Sequence, residues 1–345
     1  MAALRESYLK GLDIIGSALN YGAAGEGTWM TGHAHFLEAL ATFLADQYGK
    51  PVDAATLMST SGASMAADLI ARVHCAAGDI AVTEAPTYYL AHQMFRERGM
   101  ALKEVPLQPD GMDLDALEAL CEAEGGKVKL VYTVPVHHNP TGVTMCQAKR
   151  VRLAALARKH KFFVIADEAY QLLNFEPTGV VPLYYEDDAS DPRVLSVGTF
   201  SKLIGPGIKV GWIQAHPSLI KPVSGIGFIN SGNNPVTFSS VALAHFVRSG
   251  ALKEHIAWVA RELGRKRTLL CDELAKVGVT PTFGVPKGGY FVWAKRKEGG
   301  GKMTGRNGVG MTLEPRDRFA DWMRLCFAWL TDEQIVAGVR YLAED

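Results

Sequence analysis

The sequence predicts an α/β protein: a large domain with a mostly parallel sheet flanked by helices, and a smaller α+β domain. Three observations predict it. Unbroken apolar runs alternate with helical stretches through the middle of the chain, the pattern changes after about residue 235, and a long amphipathic helix follows the change. Runs such as Lys129–Val134 and Phe162–Ala166 lack polar alternation, which is how strands buried on both faces read. Between such runs lie helical stretches at Ala63–Ala77, Tyr89–Gly99 and Gln147–Lys161, with Gly78 and Gly99 where helices end in a left-handed residue. Strand alternating with helix implies parallel strands joined by right-handed crossovers.

In the C-terminal third, Leu252, Ile256, Val259, Leu263, Leu270 and Leu274 share one face of a long helix that links the two domains. Strands are expected at Gly289–Ala294 and Met323–Ala328, separated by a glycine-rich surface loop at Glu298–Gly310. A last helix starts at Thr331, where Thr331 and Gln334 make a capping box and Ile335, Val339 and Leu342 line one face. The expected division is 25–250 for the large domain, with 1–24 and 251–345 forming the small one.

Composition narrows the function. With 345 residues, 48% of them apolar, and six tryptophans, there is material for about two packed domains. Acidic and basic residues balance at 36 each, which gives no overall electrostatic reason to expect nucleic acid or an anionic membrane as partner. Cys75, Cys121, Cys146, Cys271 and Cys326 are odd in number, scattered and without a CxxC pair. That weighs against a disulfide framework or a metal site and fits a cytoplasmic setting. No apolar stretch approaches the ~18 residues of a membrane helix, and Met1–Lys10 lacks the apolar segment of a signal peptide.

Five segments carry chemistry. In Gly198-Thr-Phe-Ser-Lys202-Leu-Ile-Gly-Pro-Gly-Ile-Lys209, a lysine follows an apolar run, so it falls at a strand exit, where open α/β sheets bind ligands. It is either a loop lysine or a desolvated amine able to attack an aldehyde. Asp167 ends another buried strand in Ala166-Asp-Glu-Ala-Tyr170, where a carboxylate either caps the next helix or holds a protonated ring nitrogen. Tyr170, three residues on, is placed to reach an oxygen on the same ring. Asn139-Pro-Thr-Gly142 is a turn signal whose asparagine can also donate to a ring oxygen. Ser61-Gly62-Ala63-Ser64 opens a helix, and exposed amides there suit a phosphate. Arg324 sits inside an apolar strand, which requires an anion, either a structural carboxylate or a substrate's. Tyr88 and Tyr21 are further candidates; His137 and His138 match no metal spacing and read as supporting residues.

In order and spacing these segments resemble the class I/II aminotransferases of the fold-type-I pyridoxal-phosphate enzymes, from about Leu19 to the C-terminus. The subgroup they are most similar to includes 2-aminoadipate, kynurenine and aromatic aminotransferases. The resemblance implies a pyridoxal 5′-phosphate cofactor held by Lys202 as a Schiff base. It makes Asp167 the partner of the ring nitrogen, Asn139 and Tyr170 the pair on the phenolic oxygen, and Tyr88 the residue stacked on the ring. Gly62, Ala63, Ser64, Thr199, Ser201 and Lys209 become the phosphate site, and Arg324 with Asn139 the clamp on the substrate α-carboxylate. Tyr21 would reach the phosphate of a neighbouring subunit, which implies a homodimer.

The implied activity moves an amino group between an L-amino acid and a 2-oxo acid, with Lys202 shuttling the proton. Three features depart from the family. Lys209 stands where an arginine is usual, keeping the charge without the fork, and Thr199 replaces a serine. The resemblance also implies an opening segment that helps close the substrate site, which is not expected here; in its region stands Glu26–His35, which either lines the entrance or, the favoured reading, forms a surface loop. The alternative is a C–S lyase on the same fold, since fold does not choose between these reactions. A cofactor-binding regulator would need an added DNA-binding module, for which the sequence shows no basic segment.

Overall fold

The computed structural model describes residues 2–18, 30–296 and 307–342. Its centre is an eight-stranded sheet. In chain order the strands are β1 (Leu57–Thr60), β2 (Ile80–Ala85), β3 (Ala101–Gln108), β4 (Gly111–Met112), β5 (Val128–Thr133), β6 (Phe163–Asp167), β7 (Val194–Thr199) and β8 (Gly211–Ala215). Their spatial order is β1-β8-β7-β6-β5-β2-β3-β4. The five strands from β7 to β3 are parallel, while β8, β1 and β4 join antiparallel. The chain runs outward from β2 to β3, then returns to the other side of β2 through β5. The crevice between β2 and β5 is therefore the switch point of the sheet.

Both faces of the central strands are covered, as their unbroken apolar runs require. Leu130, Tyr132 and Ile165 point into one core with helices α3 (Gly62–His74) and α4 (Leu90–Glu97). Val128, Val131, Val164 and Ala166 point into the other with α5 (Leu114–Ala123) and α6 (Gln147–His160). Gly78 and Gly99 take left-handed φ values of +90° and +73° after α3 and α4, as expected. Glycine is also needed where α3 docks on the sheet. A Cβ at Gly211 would lie 2.6 Å from the Gly198 carbonyl oxygen and 2.9 Å from Gly62 Cα.

The first helices in the chain are α1 (Ala2–Ala18) and α2 (Ala34–Tyr48). After the sheet come α7 (Pro217–Ser224), α8 (Gly227–Gly232), α9 (Thr237–Arg248) and the long α10 (Ala251–Lys276). A two-stranded antiparallel sheet, β9 (Phe291–Lys295) with β10 (Trp322–Cys326), and α11 (Asp332–Tyr341) complete the smaller unit. The expected capping box of Thr331 and Gln334 closes the first turn of α11.

Two placements differ from the sequence reading. Helix α1, grouped by sequence with the small domain, lies along α9: Ser7 Oγ donates to the Ala242 carbonyl at 2.6 Å and accepts from Phe246 N–H at 2.8 Å. Ala34 and His35, read as loop, open α2, with His33 accepting from His35 N–H as its N-cap. Apolar side chains at Phe36, Leu37, Leu40 and Leu44 then bury one face of that helix. Tyr21, residues 26–29 of the Glu26–His35 stretch and most of the glycine-rich loop lie outside the described residues.

Candidate active site

The carboxyl ends of the parallel strands converge on one cavity of about 230 Å³. Asp167 ends β6, Thr199 ends β7 with Ser201 and Lys202 just beyond, and Asn139 sits on the turn after β5. Tyr88 lies on the loop after β2, and Ser61–Ser64 form the start of α3. All of these line the cavity, as do Tyr170 and Lys209. The sheet topology thus brings together every sequence-predicted site residue except Arg324, one hydrogen bond away, and Tyr21, outside the described residues.

One end of the cavity is built for an anion. Helix α3 has no side-chain cap and no acidic residue in its first turn, so its leading amides are left to a ligand. Gly62, at φ +80°, turns the backbone into this cradle, beside the hydroxyls of Thr199 and Ser201, which bond each other at 3.0 Å. Ser64 and Tyr88 line the same cavity. Lys209, itself in a left-handed conformation at φ +50°, adds a positive charge.

The other end is built for a ring and a carboxylate. Burial holds the Lys202 ammonium below its ordinary range, and Asp167 opposes that shift. Burial pushes the Asp167 carboxyl up, against donors from Tyr132 and Ala169 and the charge of Lys202. Tyr170 is held well above the usual phenol range, chiefly by burial, so its hydroxyl is a donor at working pH. Arg324 Nη1 donates to Asn139 Oδ1 at 3.0 Å, and its guanidinium lies 4.5 Å from the Phe291 ring centroid. Arginine only donates, so the asparagine oxygen faces Arg324 and its amide nitrogen is left for another acceptor.

Three residues escaped the sequence reading. Tyr132 Oη donates to Asp167 Oδ2 at 2.7 Å. Tyr290 Oη donates to the Lys202 carbonyl at 2.6 Å, tying the smaller unit to the lysine loop. Glu84, 1% exposed, accepts from Thr133 and faces His138 Nε2 at 3.7 Å. The one available signal was that a buried tyrosine hydroxyl or carboxylate needs a partner. His137 and His138 are buried and engaged, with Asn174 at 2.8 Å and Thr141 at 2.9 Å.

A half-buried lysine facing a half-buried carboxylate, beside an amide-lined anion cradle at the switch point, defines an enzyme of the fold-type-I pyridoxal-phosphate class. The chain belongs to the aminotransferase class I and II family, whose model matches residues 18–342. It is 36% identical over 321 residues to aromatic-amino-acid aminotransferase 1 of Thermococcus litoralis, covering 89% of this chain and 76% of that protein. Among solved structures it resembles a multiple substrate aminotransferase from Thermococcus profundus, with 31% identity and a TM-score of 0.86 over 99% of this chain and 86% of that one. A Pyrococcus horikoshii kynurenine aminotransferase, solved with PMP, KYN and KYA, matches at 30% identity and TM-score 0.84, again over 99% and 86%.

The protein is therefore an aminotransferase that uses pyridoxal phosphate, acting on amino and 2-oxo acids. The donor set fits that cofactor: uncapped helix amides and hydroxyls for a phosphate, a carboxylate for a ring nitrogen, an amide and a phenol for a ring oxygen, and an amine for an aldehyde. No helix among the described residues is long and apolar enough to cross a membrane.

Proposed function

We propose that Lys202 is the amine that carries the cofactor, and that the chain transfers the amino group of an L-amino acid, with aromatic donors the first class to test. The observation that carries this reading is the convergence of Lys202, Asp167, Tyr170 and Asn139 on one cavity, with Arg324 bonded to Asn139 at its edge. The names of the relatives support the aromatic class. When bound, the cofactor supplies an aldehyde that accepts the amino group and a ring that delocalises the electron pair released at Cα.

The chain's residues do the rest. Burial lowers the Lys202 pKa, so more of its Nζ is unprotonated and nucleophilic near neutral pH. Asp167 would accept a hydrogen bond from the ring N–H and keep that proton in place. Asn139 and Tyr170 would donate to the phenolic oxygen, with Tyr88 as the aromatic partner of the ring. Gly62, Ala63, Ser64, Thr199, Ser201 and Lys209 would hold the phosphate. Arg324 fixes the substrate α-carboxylate through two parallel N–H donors, which points the Cα–H toward Lys202. Lys202 Nζ would take that proton and return it to the carbon on the far side of the substrate nitrogen, the work of a positioned general base and acid.

A homodimer, with Tyr21 of each protomer at the other's phosphate site, belongs to the same reading. So do a cytoplasmic location, supported by five free cysteines, and the division into units at 25–250 and 251–345. The test is Lys202→Ala. The variant should fold, lose the visible cofactor band, and fall roughly a thousandfold in transamination of phenylalanine with 2-oxoglutarate. Full activity in Lys202→Ala refutes the assignment.

A further inference from the structure

Asp167 has a fixed donor behind it. Tyr132 lies on β5, is wholly buried, and packs its ring against Phe95 at 5.8 Å between centroids. Its hydroxyl donates to Asp167 Oδ2 at 2.7 Å, while Oδ1 accepts the weaker Ala169 N–H contact at 3.3 Å. Tyr132 is absent from the cavity lining, whereas Asp167 is part of it. The tyrosine thus reaches the site only through the carboxylate.

We infer that Tyr132 is a positioning residue for the transfer: its hydroxyl fixes the orientation of the Asp167 carboxylate and keeps it ionised, and so sets the protonation of the cofactor's ring nitrogen. The inference rests on the reading of this cavity as the pyridoxal-phosphate site. A carboxylate removed from water takes up a proton unless donors or cations hold its charge. The groups facing Asp167 are Tyr132 from β5, Glu84 from β2, Lys202 beyond β7, and Tyr88 and Tyr170 from the intervening loops. Burial and Glu84 push the Asp167 carboxyl up, and the Tyr132 donor is the largest influence holding it down. Burial and the nearby carboxylates keep Tyr132 far above the usual phenol range, so it always donates and never competes as an anion. A hydrogen bond to a charged group in such a site is stronger than one between neutral groups. A group that orients a catalytic group contributes a tenfold or larger effect when the same logic is met around metal ligands.

The test is Tyr132→Phe in the holoenzyme, which keeps the ring and removes one buried oxygen. Expected are a folded protein, kcat lower by about tenfold with the donor KM nearly unchanged, and an acid limb of kcat shifted upward by about one pH unit. The sign follows from Asp167: without the donor its pKa rises, so ionisation requires higher pH. The pH midpoint of the bound cofactor's visible band should move upward too. Incorporating 3-fluorotyrosine at position 132 keeps the hydroxyl as a stronger donor, and should move the midpoint the opposite way. A structural role alone would not produce shifts of opposite sign. If wild type shows the band and turnover while both variants keep its midpoint and rate, the role of Tyr132 is overturned and the site reading stands. If wild type binds no pyridoxal phosphate, the site reading is overturned as well.

Discussion

The residue after Asp167 forms a buried ion pair whose strength should depend on pH. Arg150 Nη2 on α6 lies 3.3 Å from Glu168 Oε1, with the two side chains 0% and 4% exposed. Glu168 also accepts from Leu183 N–H at 2.7 Å, and Arg150 donates to the Val181 carbonyl. Among the described residues, Arg150 Nε and Nη1 find no hydrogen-bond partner. Burial pushes the Glu168 carboxyl from 4.5 up to about 7, and Arg150 is the first of the groups holding it down. Because the folded value is raised, the folded state holds the Glu168 proton more tightly than the unfolded chain does. That contribution is full below the unfolded value and is lost as pH rises through about 7. At about 1.4 kcal/mol per pH unit, keeping Glu168 ionised above neutrality costs about 3 kcal/mol. Arg150→Met removes the main influence lowering that value and leaves a buried anion alone. The expected loss of stability is about 3–5 kcal/mol near pH 8.5. It should shrink to about 1 kcal/mol near pH 5.5, where Glu168 keeps its proton in either protein. Urea unfolding of the apoprotein at both pH values measures this. Adding Glu168→Gln should restore most of the stability at high pH and abolish the pH dependence. Equal losses for Arg150→Met at the two pH values refute the reasoning.

Other outcomes follow from the cofactor cradle. Gly198→Ala would place a Cβ 2.1 Å from Cε2 of the buried Trp212 indole, directly across from it in the β7–β8 register. A loss of about 3 kcal/mol, seen as a lowered thermal midpoint, and weakened cofactor retention are expected. Lys209→Arg restores a two-pronged donor at the anion end. Pyridoxal phosphate should bind about fivefold tighter, read by fluorescence titration of the apoprotein, with melting of the apoprotein unchanged. An unchanged dissociation constant would mean that Lys209 does not meet the phosphate.

What could be read from sequence was whatever is encoded by near neighbours. Strands β5 and β6 announced themselves because parallel central strands are apolar on both faces, and α6 because its boundaries follow a run of helix formers. Lys202, Asp167 and Asn139 were legible because strand ends in an open sheet place ligands predictably. Arg150 was not: on a helix rich in arginine and lysine it reads as one more surface charge, and only the fold buries it against Glu168. Tyr132 was hidden in the same way, inside an apolar run whose other members are packing residues, because its partner lies 35 residues away. Helix α1 carries no signal for its dock on α9, a contact between residues 235 apart whose closeness depends on the missing side chain of Gly11.

The bond from Tyr290 to the Lys202 carbonyl spans 88 residues, and the one from Arg324 to Asn139 spans 185. Contacts so distant along the chain close slowly, since each must overcome the entropy of a large loop. Residues up to Arg324 must be present before the lysine, its carboxylate and the arginine can meet. The arginine on β10 therefore joins a cavity whose other residues all lie at or before Lys209. Residues up to Lys209 are enough to line the cofactor cavity, whereas the clamp on a substrate's carboxylate waits for β10 to take its place.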